Sequence, residues 1–365
     1  MSECTILMVA GEASADAHAA QVIRALRALM PHCRFVGMGG PRMQEAGMEC
    51  AWGMDELSVM GFTDVARRIR HIYRVFAGIK ELMGTQRPSL FIPVDLPDFN
   101  MRLCRHARDL GIRVLYYIAP QAWAWRRSRA RTLARITDGL AVIFPFEEAF
   151  FRASGVNARY VGHPFMEDAG QIPGSMSSWP PRRIAMLPGS RRHEISRILP
   201  VMMDAKRRIA LTHPGLDWVL PVARGIDPAA VRVLTDPDVR LADSLPEVDL
   251  AMVKSGTSSL EVAIRGAPGV ICYKTSLVNY LLARIFVKIH HIGMPNIIAG
   301  STVMPELIQA DLTGESLAQT MLAYLEDRGR FETARQACTG LRHVLGPKKA
   351  STEVARWARE LLEAA

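Results

Sequence analysis

Apolar positions along this chain fall into short runs, each closed by a turn and followed by a helical spacing. TILMVA (5–10) leads through GEASAD into HAAQVIRALRAL, and CRFVGMGG leads into PRMQEAG. LFIPV (90–94) leads into DLPDFN, RVLYYIA into PQAWAW, and GLAVIF into PFEEAFF. The runs are β-branched and aliphatic and do not alternate, as expected of strands covered on both faces. Strands alternating with helices predict a parallel, doubly wound sheet. The rhythm breaks at GHPFMEDAGQIPGSMSSWPP (162–181), where four prolines and three glycines mark a linker. It restarts with RRIAMLPGSRRHEI, LDWVLPVA, VRLAD, DLAMVKSGTSSLEVA and PGVICYK. The expected fold is therefore α/β, with two Rossmann-like doubly wound domains facing a central cleft. The boundaries are 1–165, a linker at 166–181, and 182–345. A terminal helix at 346–365 lies outside the second rhythm and is expected to pack back on the first domain.

Composition narrows the class. Of 365 residues, 49% are hydrophobic and 22% charged, which excludes global disorder. A net charge of +9 predicts an anionic partner. Aromatic residues make up only 7%, too few for the stacking platforms of single-stranded nucleic acid, so no nucleic-acid partner is expected. The six cysteines form no C-x-x-C pair, so free thiols in a reducing cytoplasm, and no metal site, are expected. The start has no signal-peptide pattern, and no run of 18 uncharged apolar residues is present.

Four strand ends carry candidate chemistry. In VKSGTSSLEVA a strand stops and a small polar turn opens a helix. There Ser255, Gly256, Thr257 and Ser258 could offer N–H groups to a diphosphate, with Glu261 one turn in for ribose hydroxyls. An ordinary capped helix explains the pattern about as well. LPGSRR offers Ser190 and Arg191, the latter able to meet charge on a phosphate leaving group. VAGEASAD offers Gly11 and Ser14 but lacks G-x-G-x-x-G, so a nicotinamide cofactor is not supported, and no cofactor is expected. In LFIPVDLPDFN, Asp95 ends a strand between Pro93 and Pro97, a placement that suits a general base. Asp98 is expected to cap the next helix or to orient Asp95. Gly11, Ser14, Asp98 and Gln121 are expected around the cleft. Asn296 in MPNIIAG is a candidate ligand contact, and no histidine is given a catalytic role.

Residues 62–83 have an apolar stripe of Phe62, Val65, Ile69, Ile72, Phe76, Ile79 and Met83, backed by Arg67, Arg70, His71 and Arg74. Such a helix suits an anionic bilayer surface, although packing on its own domain is the commoner outcome. SLVNYLLARIFVKIHH (276–291) and the arginines of WAWRRSRARTLAR repeat the basic-apolar theme.

Taken together, GEASAD, GGPRM, MDELSVMGF, DLPDFN, YYIAPQAWAWR, PFE, GHP, LPGSR, SGTSSLE and MPNIIAG, in that order along the whole chain, resemble the lipid-A-disaccharide synthases. These are GT-B-fold glycosyltransferases of lipid A assembly. The resemblance implies an inverting, metal-independent transfer from UDP-2,3-diacylglucosamine to 2,3-diacylglucosamine 1-phosphate (lipid X), giving the β-1,6 disaccharide 1-phosphate and UDP. It implies Asp95 as base and Arg191 on the donor phosphates. It also implies Ser190, Ser255, Gly256, Thr257, Ser258, Glu261 and Asn296 at the donor. Met60, Phe62, Val65 and Ile69 would contact acyl chains or the membrane. The implied location is the cytoplasm, peripherally on the inner face of the inner membrane, and a homodimer rests on the resemblance alone. The chain departs from the family's usual residues at Ala15, Ala19, Ala119, Pro93 and Leu96. Rival expectations are another GT-B enzyme, with a different lipid acceptor or epimerising a nucleotide sugar, and a catalytically silent membrane-binding homologue.

Overall fold

The computed structural model describes residues 4–57, 65–167, 179–223, 225–276, 280 and 290–364. It divides into two units, Met1–Glu167 with Leu345–Ala365, and Asp168–Val344. The first contains β1 (Thr5–Ala10), α1 (Ala13–Leu29), β2 (Arg34–Gly39), α2 (Pro41–Glu45), β3 (Glu49–Gly53), α3 (Val65–Gln86) and β4 (Leu90–Val94). It continues through α4 (Pro97–Asp109), β5 (Arg113–Tyr117), α5 (Ser128–Ile136), β6 (Gly139–Val142), α6 (Pro145–Arg152) and β7 (Ala158–Tyr160). The second contains β8 (Arg183–Leu187), α7 (Arg192–Ala210), β9 (Asp217–Pro221), α8 (Pro228–Arg232), β10 (Arg240–Ala242), β11 (Leu250–Lys254), α9 (Thr257–Ile264) and β12 (Gly269–Tyr273). It closes with α10 (Met294–Ala299), β13 (Glu306–Ile308), α11 (Gly314–Glu326) and α12 (Arg328–Leu345), before α13 (Ala350–Glu363) returns to the first unit.

Both sheets are parallel, ordered β3-β2-β1-β4-β5-β6-β7 and β10-β9-β8-β11-β12-β13. β1, flanked by β2 and β4, is buried at all six positions, which is why its sequence does not alternate. β4 is also central yet holds Pro93. Proline has no N–H to give a ladder, and the β4–β5 pairing skips Ile92 and Pro93. Pairing resumes at Val94, and the Asp95 N–H donates to the Tyr117 carbonyl at 3.0 Å.

Free thiols were the expectation for all six cysteines, but Cys4 and Cys33 form a disulfide. The register that pairs Thr5 with Arg34 sets the residues before each strand side by side, with Cα atoms 4.6 Å apart. Partners 29 positions apart leave no local spacing signal. Cys50, Cys104, Cys272 and Cys338 are free thiols.

From Val75 onward the apolar stripe of α3 packs inward, with Val75, Ile79 and Met83 buried in the unit's own core. Met60 and Phe62 lie outside the described residues, as does most of 276–291. Val65 and Ile69 open α3, but their side chains are likewise outside the description. Among the described residues no helix is long and apolar enough to cross a membrane.

The C-terminal helix α13 completes the first unit. Trp357, only 2% exposed, fills the space above Gly139, where a Cβ would sit 2.6 Å from its ring. Arg159 lies 4.4 Å over the same indole and pairs with Glu360 at 2.6 Å. Glu167 accepts from the Ser351 N–H at 2.6 Å and its hydroxyl at 2.7 Å. Trp357→Ala therefore removes a filled core position. We expect a loss of about 3–5 kcal/mol in the first unit's urea unfolding transition.

Candidate active site

In each unit the candidate residues gather where parallel strands end and helices begin. In the first unit the centre is the turn after β4. Asp95 and Leu96 are both left-handed, with φ of 52° and 51°. Leu96 is the residue before α4, so the chain enters that helix through a conformation costing a branched side chain roughly 1–2 kcal/mol. Two buried side chains hold the turn. The Tyr116 hydroxyl and the Asn100 amide each donate to the Asp95 carbonyl at 2.7 Å. Strain is concentrated nearby: Ile118 after β5 and Arg126 in the next loop also have positive φ.

The Asp95 carboxyl is pushed up to about 6, chiefly by burial and then by the negative charge of Glu12, against a smaller opposing hydrogen bond from the Leu96 N–H. Glu12 follows β1 and Asp95 follows β4. The register pairs Ala10 with Val94, so the two acids leave neighbouring strands at the same edge. Sequence reasoning passed over Glu12, although it stands in the same GEASAD motif as Ser14.

Asp98 departs from expectation. It lies inside the first turn of α4 and caps nothing; Leu96 is the N-cap, with no side-chain cap bond. Its carboxylate instead binds Arg129 and lies 3.9 Å from Arg126. Gly11 is buried at the end of β1, while Ser14 and Gln121 are exposed on loop or helix-start positions of the same unit.

Three buried groups with no assigned role fix the surrounding loops. Asp16 accepts from the N–H groups of Gly40 at 2.9 Å, Arg42 at 3.1 Å and Met43 at 3.1 Å, capping α2 from α1. This links GEASAD to GGPRM and explains the glycine, since a Cβ at Gly40 would lie 2.7 Å from that carboxyl. Glu147, in PFE, accepts from the Trp123 indole at 2.9 Å and the Phe144 N–H at 3.2 Å, and burial pushes its carboxyl up to about 7. It anchors the loop carrying Gln121. His163 is 2% exposed; burial, followed by the nearby His18, takes it down to about 3, so it is a neutral packing ring.

In the second unit two turns lie at the ends of adjacent strands, β8 and β11. Gly189 has φ of 123°, and a Cβ there would run into the Glu194 carboxylate. Glu194 accepts from the Ser190 N–H at 3.1 Å and the Arg191 N–H at 3.3 Å, closing the start of α7, and pairs with Lys254 at 3.0 Å. Burial alone would raise the Glu194 carboxyl. Lys254 and the Ser190 N–H outweigh it and hold the carboxyl below its ordinary value. Lys254, unassigned by the sequence, thus ties the LPGSR turn to the SGTSSLE turn. Arg191 keeps a side chain 61% exposed, with a guanidinium nitrogen 3.9 Å from Glu194.

Ser255 is buried and donates its hydroxyl to the Ile292 carbonyl at 2.8 Å, which leaves its role as a turn anchor. Gly256 precedes α9, Thr257 opens it exposed, and Ser258 follows in the first turn. Glu261 pairs with Arg265 at 2.7 Å. Asn296 needs correction. It is fully buried, its amide donating to Met304 at 2.7 Å and Glu306 at 2.8 Å and accepting from Val303 at 2.8 Å and Met304 at 2.9 Å. All four side-chain hydrogen-bonding positions are used internally, so it shapes its loop and has none left for a donor.

Known proteins resemble the chain in sequence and in fold. A family model described as lipid-A-disaccharide synthetase matches residues 6–356. A lipid-A-disaccharide synthase of Anaeromyxobacter dehalogenans is 42% identical over 96% of this chain and 95% of its own length. One from Myxococcus xanthus is 39% identical over 98% and 97%. In fold, the UDP-GlcNAc 2-epimerase of Neisseria meningitidis matches with a TM-score of 0.64 at 8% identity, over 99% of both chains. MurG of Acinetobacter baumannii matches with 0.59 at 15%, over 98% of this chain and 99% of its own. The calicheamicin glycosyltransferase CalG4 matches with 0.61 at 15%, over 100% and 99%. The two parallel sheets thus have the GT-B architecture, and the full-length matches in sequence establish that this chain belongs to the lipid-A-disaccharide synthase family of glycosyltransferases.

Proposed function

We propose that this chain transfers 2,3-diacylglucosamine from its UDP derivative to the 6-hydroxyl of 2,3-diacylglucosamine 1-phosphate. The products are the β-1,6 disaccharide 1-phosphate and UDP, with inversion at the anomeric carbon. The observation that carries the reading is Asp95, a largely buried carboxylate on a strained turn at a strand's carboxyl end, raised to about 6. Such a group is ionised at neutral pH yet basic enough to accept a hydroxyl proton as that oxygen attacks. The new C–O bond forms as the bond to UDP breaks, in one displacement, and inversion follows from that single step. The leaving diphosphate gathers negative charge. In this reading the exposed Arg191 guanidinium and the free N–H groups at the start of α9, beside Thr257 and Ser258, meet it. Acylated substrates bring the reaction to the cytoplasmic face of the inner membrane.

The deciding assay mixes UDP-2,3-diacylglucosamine with lipid X in the presence of EDTA and follows lipids and UDP by mass spectrometry. A disaccharide 1-phosphate formed with equimolar UDP is expected. Free epimerised sugar, or UDP binding without turnover, would overturn the reading.

Asp95→Asn should lower kcat on the order of 10²–10⁴-fold while leaving UDP affinity, read by calorimetry, in place. The same change should stabilise the fold at pH 8. A carboxyl raised in the folded state favours the protonated form, so its contribution is fully present below about pH 4 and lost as pH rises through about 6. The gain from Asp95→Asn is therefore on the order of 2–3 kcal/mol at pH 8 and absent at pH 4, checked by urea titration at both values.

The pH–rate profile of kcat/KM should fall tenfold per unit below about 6. Glu12→Gln should move that inflection down without returning it to the ordinary carboxylate range, because burial is the larger cause.

A further inference from the structure

One charged pocket in the first unit is not used by this mechanism. It encloses about 170 Å³ between α4 and the start of α5, lined by Asp98, Arg102, Arg105, Ser128, Arg129 and Thr132 among others. Asp98, Arg102 and Arg105 recur at i, i+4 and i+7, so they share one face of α4. Asp98 is the only acid in the lining and it is spent on Arg129. Arg129 is held on its other side by the Trp125 ring, 5.3 Å away, and its side chain is 12% exposed, so its guanidinium is oriented in advance. Arg126, with its guanidinium 4.4 Å over the same ring, stands beside it. Among the described residues, no carboxylate lies within ion-pair distance of Arg102 or Arg105. The lining therefore carries three guanidinium groups against one carboxylate, with two hydroxyls, at a site large enough for a phosphoryl group.

We propose that this pocket is a phosphate-monoester subsite that takes the 1-phosphate of the acceptor sugar. The inference rests on the acceptor assigned above. A monoester carries between one and two negative charges near neutral pH, matching the surplus of the lining, and its three oxygens suit guanidinium forks. Position agrees with this. Asp95 lies two residues before α4, and the arginines follow within its first turns. Arg102 and Arg105 lie about 8 and 12 Å along the axis from the start of α4, and long helical side chains lean back towards the N-terminus, which brings an acceptor's phosphate within reach while its hydroxyl stands at Asp95. The two groups flank the ring oxygen of one rigid sugar, the phosphate on C1 and the hydroxyl on the C6 carried by C5, so gripping the phosphate would orient the hydroxyl. In this view Asp98 is a positioning residue for Arg129.

The test is the double variant Arg102→Gln/Arg105→Gln, both on exposed positions, assayed with lipid X and with its dephosphorylated counterpart. Expected is a rise of about tenfold or more in the KM for lipid X, with kcat and the donor KM unchanged. The variant and the parent should have equal KM values for the dephosphorylated acceptor. Equal losses on both acceptors, or no loss on either, would overturn the proposal. Glucosamine 1-phosphate, titrated by NMR into parent and variant, reads the pocket without turnover. Binding lost in the variant supports the subsite even if the disaccharide assay fails, so the two readings fall separately. Binding to phosphatidylglycerol vesicles separates the sources of phosphate. If the variant loses vesicle binding but keeps its KM for lipid X in detergent, the pocket is a bilayer contact and the proposal is wrong.

Discussion

Two hydrogen bonds to one carbonyl oxygen hold the left-handed turn after β4 in place. The Tyr116 hydroxyl and the Asn100 amide on the Asp95 carbonyl, with the Asp95 N–H on the Tyr117 carbonyl, hold two successive non-glycine residues left-handed. The donors come from β5 and from α4, so the turn forms only once strand, turn and helix are packed. The strain of this turn is thus maintained by buried contacts from two neighbouring elements.

The second unit solves a related problem differently. Its two turns contain glycines and small residues, so the backbone needs little forcing. What they need is a fixed spacing, and a partly buried ion pair supplies it. Glu194 closes the start of its own helix while Lys254 reaches across from the end of β11. Removing either partner would strand a charge in a site where burial already works against it. Asp16 does the same in the first unit, holding three N–H groups of a neighbouring turn. In both places an internal acid satisfies the backbone donors of a turn.

The parallel sheets were legible because doubly buried strands must be largely apolar, as in β1 and the first four residues of β11, and because helices must intervene between them. Asp95 was legible for the same reason, as a charge at the end of such a run. What stayed hidden depends on register and on side-chain direction. The pairing of Cys4 with Cys33 follows from which strand lies beside which. Asn296 looked available in MPNIIAG because its sequence neighbours are small and apolar, whereas Val303, Met304 and Glu306 arrive from beyond a turn to use every polar atom it has. Asp98 sits where cappers sit, but Arg129, a partner 31 residues away, binds its carboxylate. Lys254 was invisible because its partner Glu194 comes from the start of α7, and Glu147 because Trp123 reaches it from a loop 24 residues earlier.

The distribution of basic charge follows from the same separation of tasks. A net charge of +9 read as a single number suggests any anionic partner. In the structure many of the 45 basic side chains are paired with acids that this figure already subtracts: Arg34 with Glu49, Arg159 with Glu360, Lys206 with Asp236 and Asp238, Arg265 with Glu261. Other guanidinium groups gather near helix starts: Arg191 precedes α7, and Arg126 and Arg129 stand at the start of α5. Screening by salt weakens such exposed charges, so their usefulness depends on being pre-oriented. Asp98 and Trp125 do that for Arg129. An acid that pairs with an arginine lowers the net charge of a site, yet here it can raise affinity for an anion, because the guanidinium fork it fixes loses less freedom on binding.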